Sequence, residues 1–225
     1  MKLEEVTKRW YGDACGTALA MELVGERWAL LIVRELMFGP RRFGELRAGL
    51  PGVSANVLTQ RLTGLERAGI VARRQLPPPA SVQAYALTPW GLESEAAIRA
   101  LGRWAARSPQ HDPTLPLSGA SLMLSFRTMF SRERADGFVA TIGFRFGADG
   151  FVGTIDGDWI HIRRDDPVSA EVVFDSDPMT MASIIYGGRP FADAEAAGQL
   201  RIAGNRALAE RFVTLFLLPS KVVVE

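Results

Sequence analysis

The chain has 225 residues, and its 26 Lys and Arg nearly balance its 25 Asp and Glu. Hydrophobic residues make up 48% and charged residues 23%, which excludes wholesale disorder. One cysteine, Cys15, and two histidines exclude a disulfide framework and argue against a Cys/His zinc site, so no metal or cofactor is expected. No apolar run approaches the roughly 18 residues that span a bilayer, and no signal peptide begins the chain, so we expect a cytoplasmic protein without a membrane partner.

The net charge of +1 hides an asymmetry between the two halves. Residues 1–110 carry 15 basic and 10 acidic side chains, whereas residues 111–225 carry 11 and 15. Concentrated arginine in the first half indicates a polyanionic partner, although an ordinary solvated helix surface is an equal alternative. The Pro-rich stretch 108–119 is typical of a linker, so we predict an N-terminal domain over 1–107 and a C-terminal domain over 120–225.

The first half is predicted to be mostly helical, with one hairpin. Helices are predicted at 14–24, 27–37, 43–50, 54–68 and 88 to about 107, and strands at 70–74 and 82–87. Ser54 and Thr88 stand at N-cap positions, and Pro89 follows Thr88 at the first helical position. This order, with a polar-faced helix before the hairpin, is that of a winged helix-turn-helix, whose polar-faced helix enters the major groove of DNA.

The predicted helix 54–68 has an aliphatic face and an opposite face of short, mostly neutral polar groups. Asn and Gln can bridge adenine edges, and Thr can offer its methyl group to thymine, whereas a plain solvent face would hold more Lys and Glu. Arg61 lies on the aliphatic side, where we predict a structural ion pair or a cap, with Glu35 or Glu45 as candidate partners. The predicted DNA-binding residues are Arg41, Arg42, Ser54, Asn56, Thr59, Gln60, Thr63, Arg67, Arg73 and Arg74.

Several motifs of the first half occur together. They are Gly25-Glu26-Arg27-Trp28, Gly39-Pro40-Arg41-Arg42-Phe43, Val53-Ser54 with Leu58-Thr59, and Gly69-Ile70-Val71. Over about 15–107 the chain resembles the HxlR-type family of bacterial transcription regulators. The resemblance implies a homodimer formed through terminal helices that binds a pseudo-palindromic operator in double-stranded DNA, with Arg42 and the polar face of 54–67 toward the DNA. The predicted dimer contacts are Ala97, Leu101 and Trp104, which a monomer would instead bury against its own domain.

Cys15 occupies a position at which some members of that family carry a redox-sensing cysteine. If Asp13 is the N-cap, Cys15 lies in the first helical turn, where the helix dipole lowers the pKa of a thiol and the Asp13 charge opposes that shift. A small buried structural cysteine is the alternative. Sensing of oxidants or electrophiles through Cys15 is therefore a second hypothesis for regulation.

The second half is predicted to be α+β, with a mainly antiparallel sheet. Strands are predicted at 121–130, 138–146, 151–155, 159–163, 170–174 and 200–203, and helices at 177–187, 192–197 and 205–216. The motifs Asp156-Gly157-Asp158, Asp177-Pro178 and Gly187-Gly188-Arg189-Pro190 resemble a sterol carrier protein-like domain over about 120–218. That resemblance implies a lipid-sized apolar tunnel. The predicted pocket residues are Phe126, Phe130, Phe138, Phe144, Phe146, Trp159, Met179, Met181 and Ile185.

The same aromatic residues would suit a plain hydrophobic core equally well. The sequence has no Gly-rich phosphate loop, GxSxG elbow or Cys–His pair, so no enzyme is expected. We therefore predict a DNA-binding regulator, controlled by a small hydrophobic ligand in the C-terminal domain. The alternatives are a thiol-based sensor and a lipid-carrier module in which the winged helix only dimerises.

Overall fold

The computed structural model describes residues 11–76 and 82–223. The predicted hairpin tip at 77–81 therefore lies outside the described residues. The N-terminal region contains α1 (Gly16–Val24), α2 (Ala29–Leu36), α3 (Phe43–Gly49), α4 (Ala55–Arg67), β1 (Val71–Gln75), β2 (Gln83–Leu87), α5 (Pro89–Glu93) and α6 (Glu95–Ala105). This is the predicted order of helices and hairpin, and the winged helix-turn-helix is confirmed.

Local signals account for the ends of these helices. The Ser54 hydroxyl accepts the backbone N–H of Val57 at 3.2 Å, and the Thr88 hydroxyl accepts that of Gly91 at 3.0 Å, so both predicted caps are present. The prediction of one helix from residue 88 to 107 is wrong at Ser94, where α5 ends and α6 begins. The Ser94 hydroxyl donates to the carbonyl of Gly91 at 2.6 Å, a local bond that competes with the helical pattern.

The C-terminal region combines a five-stranded sheet with helices. Its elements are α7 (Gly119–Met129), α8 (Arg132–Ala135), β3 (Val139–Phe146), β4 (Asp149–Asp156), β5 (Ile160–Arg164), β6 (Val172–Ser176), α9 (Pro178–Gly187), α10 (Phe191–Ala196), β7 (Leu200–Gly204) and α11 (Arg206–Phe212). The strands lie in the order β5-β4-β3-β6-β7, and only the β3–β6 pair is parallel. The predicted α+β class with a mainly antiparallel sheet is confirmed.

The strand predicted at 121–130 is wrong, because this segment forms helix α7. The Ser118 hydroxyl begins the helix by accepting the backbone N–H of Ser121 at 3.0 Å. Leu122, Phe126 and Met129 are buried along one helical face. Leu122 and Phe126 also fit a two-residue period, so periodicity alone does not separate strand from helix over so short an apolar run.

The predicted ligand pocket is filled by its own side chains. Phe126 and Phe144 have no exposed surface, and their ring centroids lie 5.5 Å apart. Phe212 contacts both rings, and Met181 is fully buried as well. Such close contacts are those of a packed core, so the prediction that Phe126, Phe144 and Met181 line a pocket is wrong.

The remaining predicted pocket residues also lie in or against packed structure. Phe130 and Trp159 contact each other edge to face at 6.3 Å, and the Arg99 guanidinium of α6 lies 4.2 Å from the centroid of Trp159. Phe138, Phe146 and Ile185 pack against or within the core, whereas Met179 is partly exposed.

The N- and C-terminal regions share a continuous hydrophobic interior. Phe38, which follows α2, meets Phe151 of β4 edge to face with ring centroids 5.9 Å apart. The Arg127 guanidinium of α7 lies over Phe38 and forms a 2.6 Å ion pair with Glu95 of α6. The domain boundaries at 107 and 120 stay a prediction, but the segments on either side of them are packed together.

Candidate nucleic-acid interface

The polar face of α4 is open to solvent. Ser54, Asn56, Thr59, Gln60 and Arg67 are exposed, and Thr63 is half-buried. The opposite face of the helix is fixed in the core by Leu58, Leu62 and Leu65, each at most 2% exposed. Burial of one face therefore holds the other outward in a defined orientation.

Individual groups on this face differ in what they can offer to DNA. Thr59 is exposed, and its hydroxyl donates to the carbonyl of Ala55 at 2.9 Å. The side-chain amides of Asn56 and Gln60 form no hydrogen bond within residues 11–76 and 82–223, so both donors and acceptors are available. An amide of this kind can make two hydrogen bonds to an adenine edge.

Arg42 lies at the start of α3, the helix that precedes α4 in the helix-turn-helix. Arg42 is the N-cap of α3 and its side chain is 47% exposed. The backbone N–H of Arg42 donates to Glu45 Oε2 at 2.8 Å, while its guanidinium stays 4.0 Å from that carboxylate. The cap fixes the backbone of Arg42, and its guanidinium retains donors for a phosphate oxygen.

The β1–β2 hairpin, which is the wing of this fold, carries Arg73, which is ion-paired, and Arg74, which is not ion-paired within the described residues. Arg73 pairs with Tyr85 in the β1–β2 register, and its guanidinium binds both carboxylate oxygens of Glu66 at 2.8 and 3.3 Å. The hydrogen bond to Glu66 raises the pKa of Arg73 above its ordinary value. Arg74 is exposed and forms no ion pair in the described part of the chain. Arg74 is therefore better placed than Arg73 to bind a phosphate of the DNA backbone.

Arg41 is placed away from the predicted interface. It is 8% exposed, and its guanidinium binds the Asp149 carboxylate of β4 through Nη1 at 2.6 Å and Nη2 at 3.1 Å. Its backbone also exchanges two 2.8 Å hydrogen bonds with Tyr85 of β2. The prediction that Arg41 contacts DNA is wrong, because burial and a bidentate ion pair commit its guanidinium to the C-terminal region.

Arg61 forms the predicted structural ion pair, with a different partner. Its Nη2 lies 2.7 Å from Glu26 Oε2, and its Nε donates to the carbonyl of Arg27 at 3.1 Å. These bonds tie α4 to the segment before α2. Glu35, predicted as an Arg61 partner, instead accepts from Arg34 and from the Ser118 hydroxyl.

Comparison with known proteins agrees with this geometry. Residues 23–112 match the HxlR-like helix-turn-helix family. The HTH-type transcriptional regulator YodB of Bacillus subtilis is 38% identical over 86 residues, which cover 38% of this chain and 77% of YodB. The chain belongs to the HxlR-like family. The uncharacterized HTH-type transcriptional regulator Rv3095 of Mycobacterium tuberculosis is 40% identical over 104 residues, and the match spans 46% of this chain and 64% of Rv3095.

Two solved structures are similar to part of this chain. The reduced form of YodB from B. subtilis is 34% identical, with a TM-score of 0.40 over 44% of this chain and 100% of that chain. The redox regulator HypR in its oxidized form is 26% identical, with a TM-score of 0.39 over 43% of this chain and 100% of that chain. The family match ends at residue 112, so the sterol carrier-like character of the C-terminal region stays a prediction.

Helix α6 of this HxlR-family chain has two different faces. Arg99 and Arg103 donate to the carbonyls of Arg127 and Thr128 and so hold one face against the C-terminal region. The other face exposes the predicted dimer residues: Ala97, Leu101 at 47% and Trp104 at 73%. The alternative that Trp104 buries against its own chain is wrong.

Cys15 is exposed and is itself the N-cap of α1, so the prediction of Asp13 as N-cap is wrong. The Asp13 carboxylate instead accepts the backbone N–H of Cys15 at 2.9 Å. Hydrogen bonds from the backbone and hydroxyl of Thr17, and from the backbone of Ala18, lower the pKa of the Cys15 thiol.

Two further site types are not found in the described residues. No group of three His, Cys, Asp or Glu side chains there is arranged to hold a metal ion. No helix there is long and apolar enough to cross a bilayer.

Proposed function

We propose that this chain is a homodimeric transcription regulator that reads double-stranded DNA with the exposed polar face of α4. The observation that carries the proposal is the arrangement of α4, whose Leu58, Leu62 and Leu65 are buried while Asn56 and Gln60 are exposed. Membership of the HxlR-like family and the names of its relatives support the same function.

Two kinds of contact to DNA would contribute, one to the base edges and one to the phosphates. Asn56, Thr59 and Gln60 face base edges and provide sequence discrimination. Arg42, the cap of α3, and Arg74 of the wing lie on elements that flank α4, where their guanidinium groups would bind phosphates without reading sequence. Affinity should therefore fall steeply as the salt concentration rises.

Dimerisation would supply the second half-site. The stripe of Ala97, Leu101 and Trp104 on α6 is exposed and apolar, and two such stripes could pack against each other across a two-fold axis. A dimer that presents two copies of α4 about 34 Å apart meets successive major grooves on one side of a duplex. A pseudo-palindromic operator follows from that symmetry.

The test is an operator selection followed by Gln60→Ala. We expect binding to the selected operator to weaken by about 1–3 kcal/mol, with no change on random DNA, because only a base contact is lost. Gln110→Ala is the matched control, since Gln110 is also exposed but lies after α6. Equal weakening on operator and random DNA would show that Gln60 does not read bases.

One observation favours a second candidate, regulation through a thiol. Cys15 is exposed, and hydrogen bonds from Thr17 and Ala18 favour its thiolate, the form that reacts with electrophiles. In that case the C-terminal region would be structural. Loss of an oxidant response in Cys15→Ser, with operator binding intact, would support the thiol candidate.

A further inference from the structure

A cleft of about 680 Å³ lies between the helix-turn-helix and the C-terminal region. Trp28, Leu31 and Pro51 form the apolar part of one wall, and Leu117 and Phe146 face them from the C-terminal side. The volume falls within the range of roughly 300–1,000 Å³ that is typical of small-molecule sites. Its walls come from both halves of the chain, so an occupant would contact both.

A buried carboxylate stands in the wall of this cleft. Glu35 is 2% exposed, and its Oε1 accepts hydrogen bonds from Arg34 Nη2 at 2.9 Å and Ser118 Oγ at 2.6 Å. Its Oε2 accepts none from the described residues. Oε2 lies beside Gly49, another cleft residue, where a Cβ atom would stand only 2.7 Å away. A largely buried oxygen with spare acceptor capacity is suited to an N–H or O–H group from a ligand.

The charges of the cleft disfavour an anionic occupant. Its two arginines are already neutralised, Arg34 by Glu35 and Arg41 by Asp149. The remaining ionisable residue of the lining, Asp177, is acidic and caps α9. An uncharged ligand with an apolar body avoids the cost of burying a further negative charge beside these carboxylates.

The cleft also borders the turn that orients α4. Leu50 and Pro51 lie between the end of α3 and the start of α4. The Trp28 ring packs over this turn, since a Cβ at Gly52 would lie 3.8 Å from Trp28 Cη2. Trp28 has a φ of +79°, a left-handed conformation that is uncommon for a bulky residue and is often found at functional sites. A molecule that contacts Trp28 could therefore shift the α3–α4 turn and, with it, α4.

We propose that this cleft is an effector site for a small, planar, mostly apolar molecule with one hydrogen-bond donor, as phenols and aromatic amines have. The donor binds Glu35 Oε2, and the ring lies against Trp28 and Leu31. Binding changes operator affinity because bound and empty clefts favour different positions of the α3–α4 turn. Only this regulatory step depends on the proposed function, since occupation of the cleft is independent of DNA.

Calorimetry on the full chain tests occupation with 2-naphthol as the probe. We expect one molecule bound per chain, with 2-methoxynaphthalene, which lacks the donor, at least tenfold weaker, and no measurable binding of the anion decanoate. Leu31→Arg, which replaces an apolar contact of the ring with a charged side chain, should weaken 2-naphthol at least tenfold. Leu217→Arg is the matched control, because Leu217 has the same 39% exposure and does not line the cleft.

Several results would overturn the proposal. They are the absence of 2-naphthol binding up to its solubility limit, equal affinity for its methyl ether, or unchanged affinity in a folded Leu31→Arg. If Leu31→Arg does not fold, Leu31→Gln, which is close to leucine in size but polar, provides the same comparison. A change of less than twofold in operator affinity on saturation would refute the effector role. A chain that binds 2-naphthol but no DNA would refute the proposed function and leave the site standing.

Discussion

Removal of the Asp149 carboxylate would measure how strongly the two halves of the chain are held together. Asp149 is the shared partner of two arginines, with Arg41 Nη1 at 2.6 Å and Arg164 Nη1 at 3.1 Å. Arg41 comes from the helix-turn-helix, and Arg164 lies at the end of β5, where its backbone N–H also donates to the carbonyl of Phe38 at 3.1 Å. In Asp149→Ala both guanidinium groups lose this carboxylate, and among the described residues Arg41 retains only the more distant Glu45, whose Oε2 lies 3.9 Å from Arg41 Nε.

The expected loss of stability follows from the burial of these groups. The side chains of Arg41 and Arg164 are 9% and 16% exposed, and that of Asp149 is 28% exposed. Breaking a fully buried ion pair costs about 3–5 kcal/mol, and partial exposure of the carboxylate places this case near 3 kcal/mol. Burial and the nearby Arg41 charge already lower the pKa of Arg164, and loss of Asp149 removes a compensating interaction.

Urea unfolding provides the measurement. With a urea m-value of about 3 kcal/mol/M, the midpoint for Asp149→Ala should fall by about 1 M. Asp158→Ala is the matched control, because Asp158 forms a 2.7 Å ion pair with Arg132 but both side chains are exposed, at 66% and 75%. That variant should change stability by no more than about 0.5 kcal/mol. A midpoint for Asp149→Ala that matches the Asp158→Ala midpoint would refute the idea that this ion pair joins the two regions.

Three further outcomes are expected. Trp104→Arg should convert a dimer to a monomer in sedimentation experiments without lowering the urea midpoint, because Trp104 is 73% exposed in the single chain; an unchanged dimer would place the interface elsewhere. Arg74→Ala should weaken operator and random DNA alike and reduce the salt slope by about 1, whereas a sequence-selective loss would contradict a phosphate contact. The alkylation rate of Cys15 by iodoacetamide should reach half its maximum at a lower pH than that of a free cysteine, because hydrogen bonds lower the thiol pKa; a midpoint at or above the free-cysteine value would contradict this.

The parts of the fold that the sequence predicted well depend on neighbouring residues. The Ser54 cap joins residues three positions apart, the two faces of α4 follow from the period of a single helix, and the β1–β2 hairpin pairs residues no more than 16 positions apart. The prediction of a strand at 121–130 was wrong because the apolar residues of this segment satisfy both a helical and a strand period. There the Ser118 cap would have been the better guide.

The contacts that join the two regions have no local signal. Arg41 and Asp149 are separated by 108 positions, and neither residue type nor spacing identifies them as a pair. The phenylalanine content of the second half is compatible with a cavity and with a core, and the ring contacts among Phe126, Phe144 and Phe212 distinguish the two. The cleft at Trp28 was not predicted, since its walls come from segments distant in sequence.

The two faces of α6 have a mechanical consequence. One face is anchored to the C-terminal region through Arg99 and Arg103, and the other exposes Leu101 and Trp104. If two copies associate through Leu101 and Trp104, each α6 lies between the C-terminal region of its own chain and the α6 helix of the partner. Any tilt of α7, whose carbonyls accept from Arg99 and Arg103, would then move α6, change the angle between the paired helices and change the distance between the polar faces of the two α4 helices.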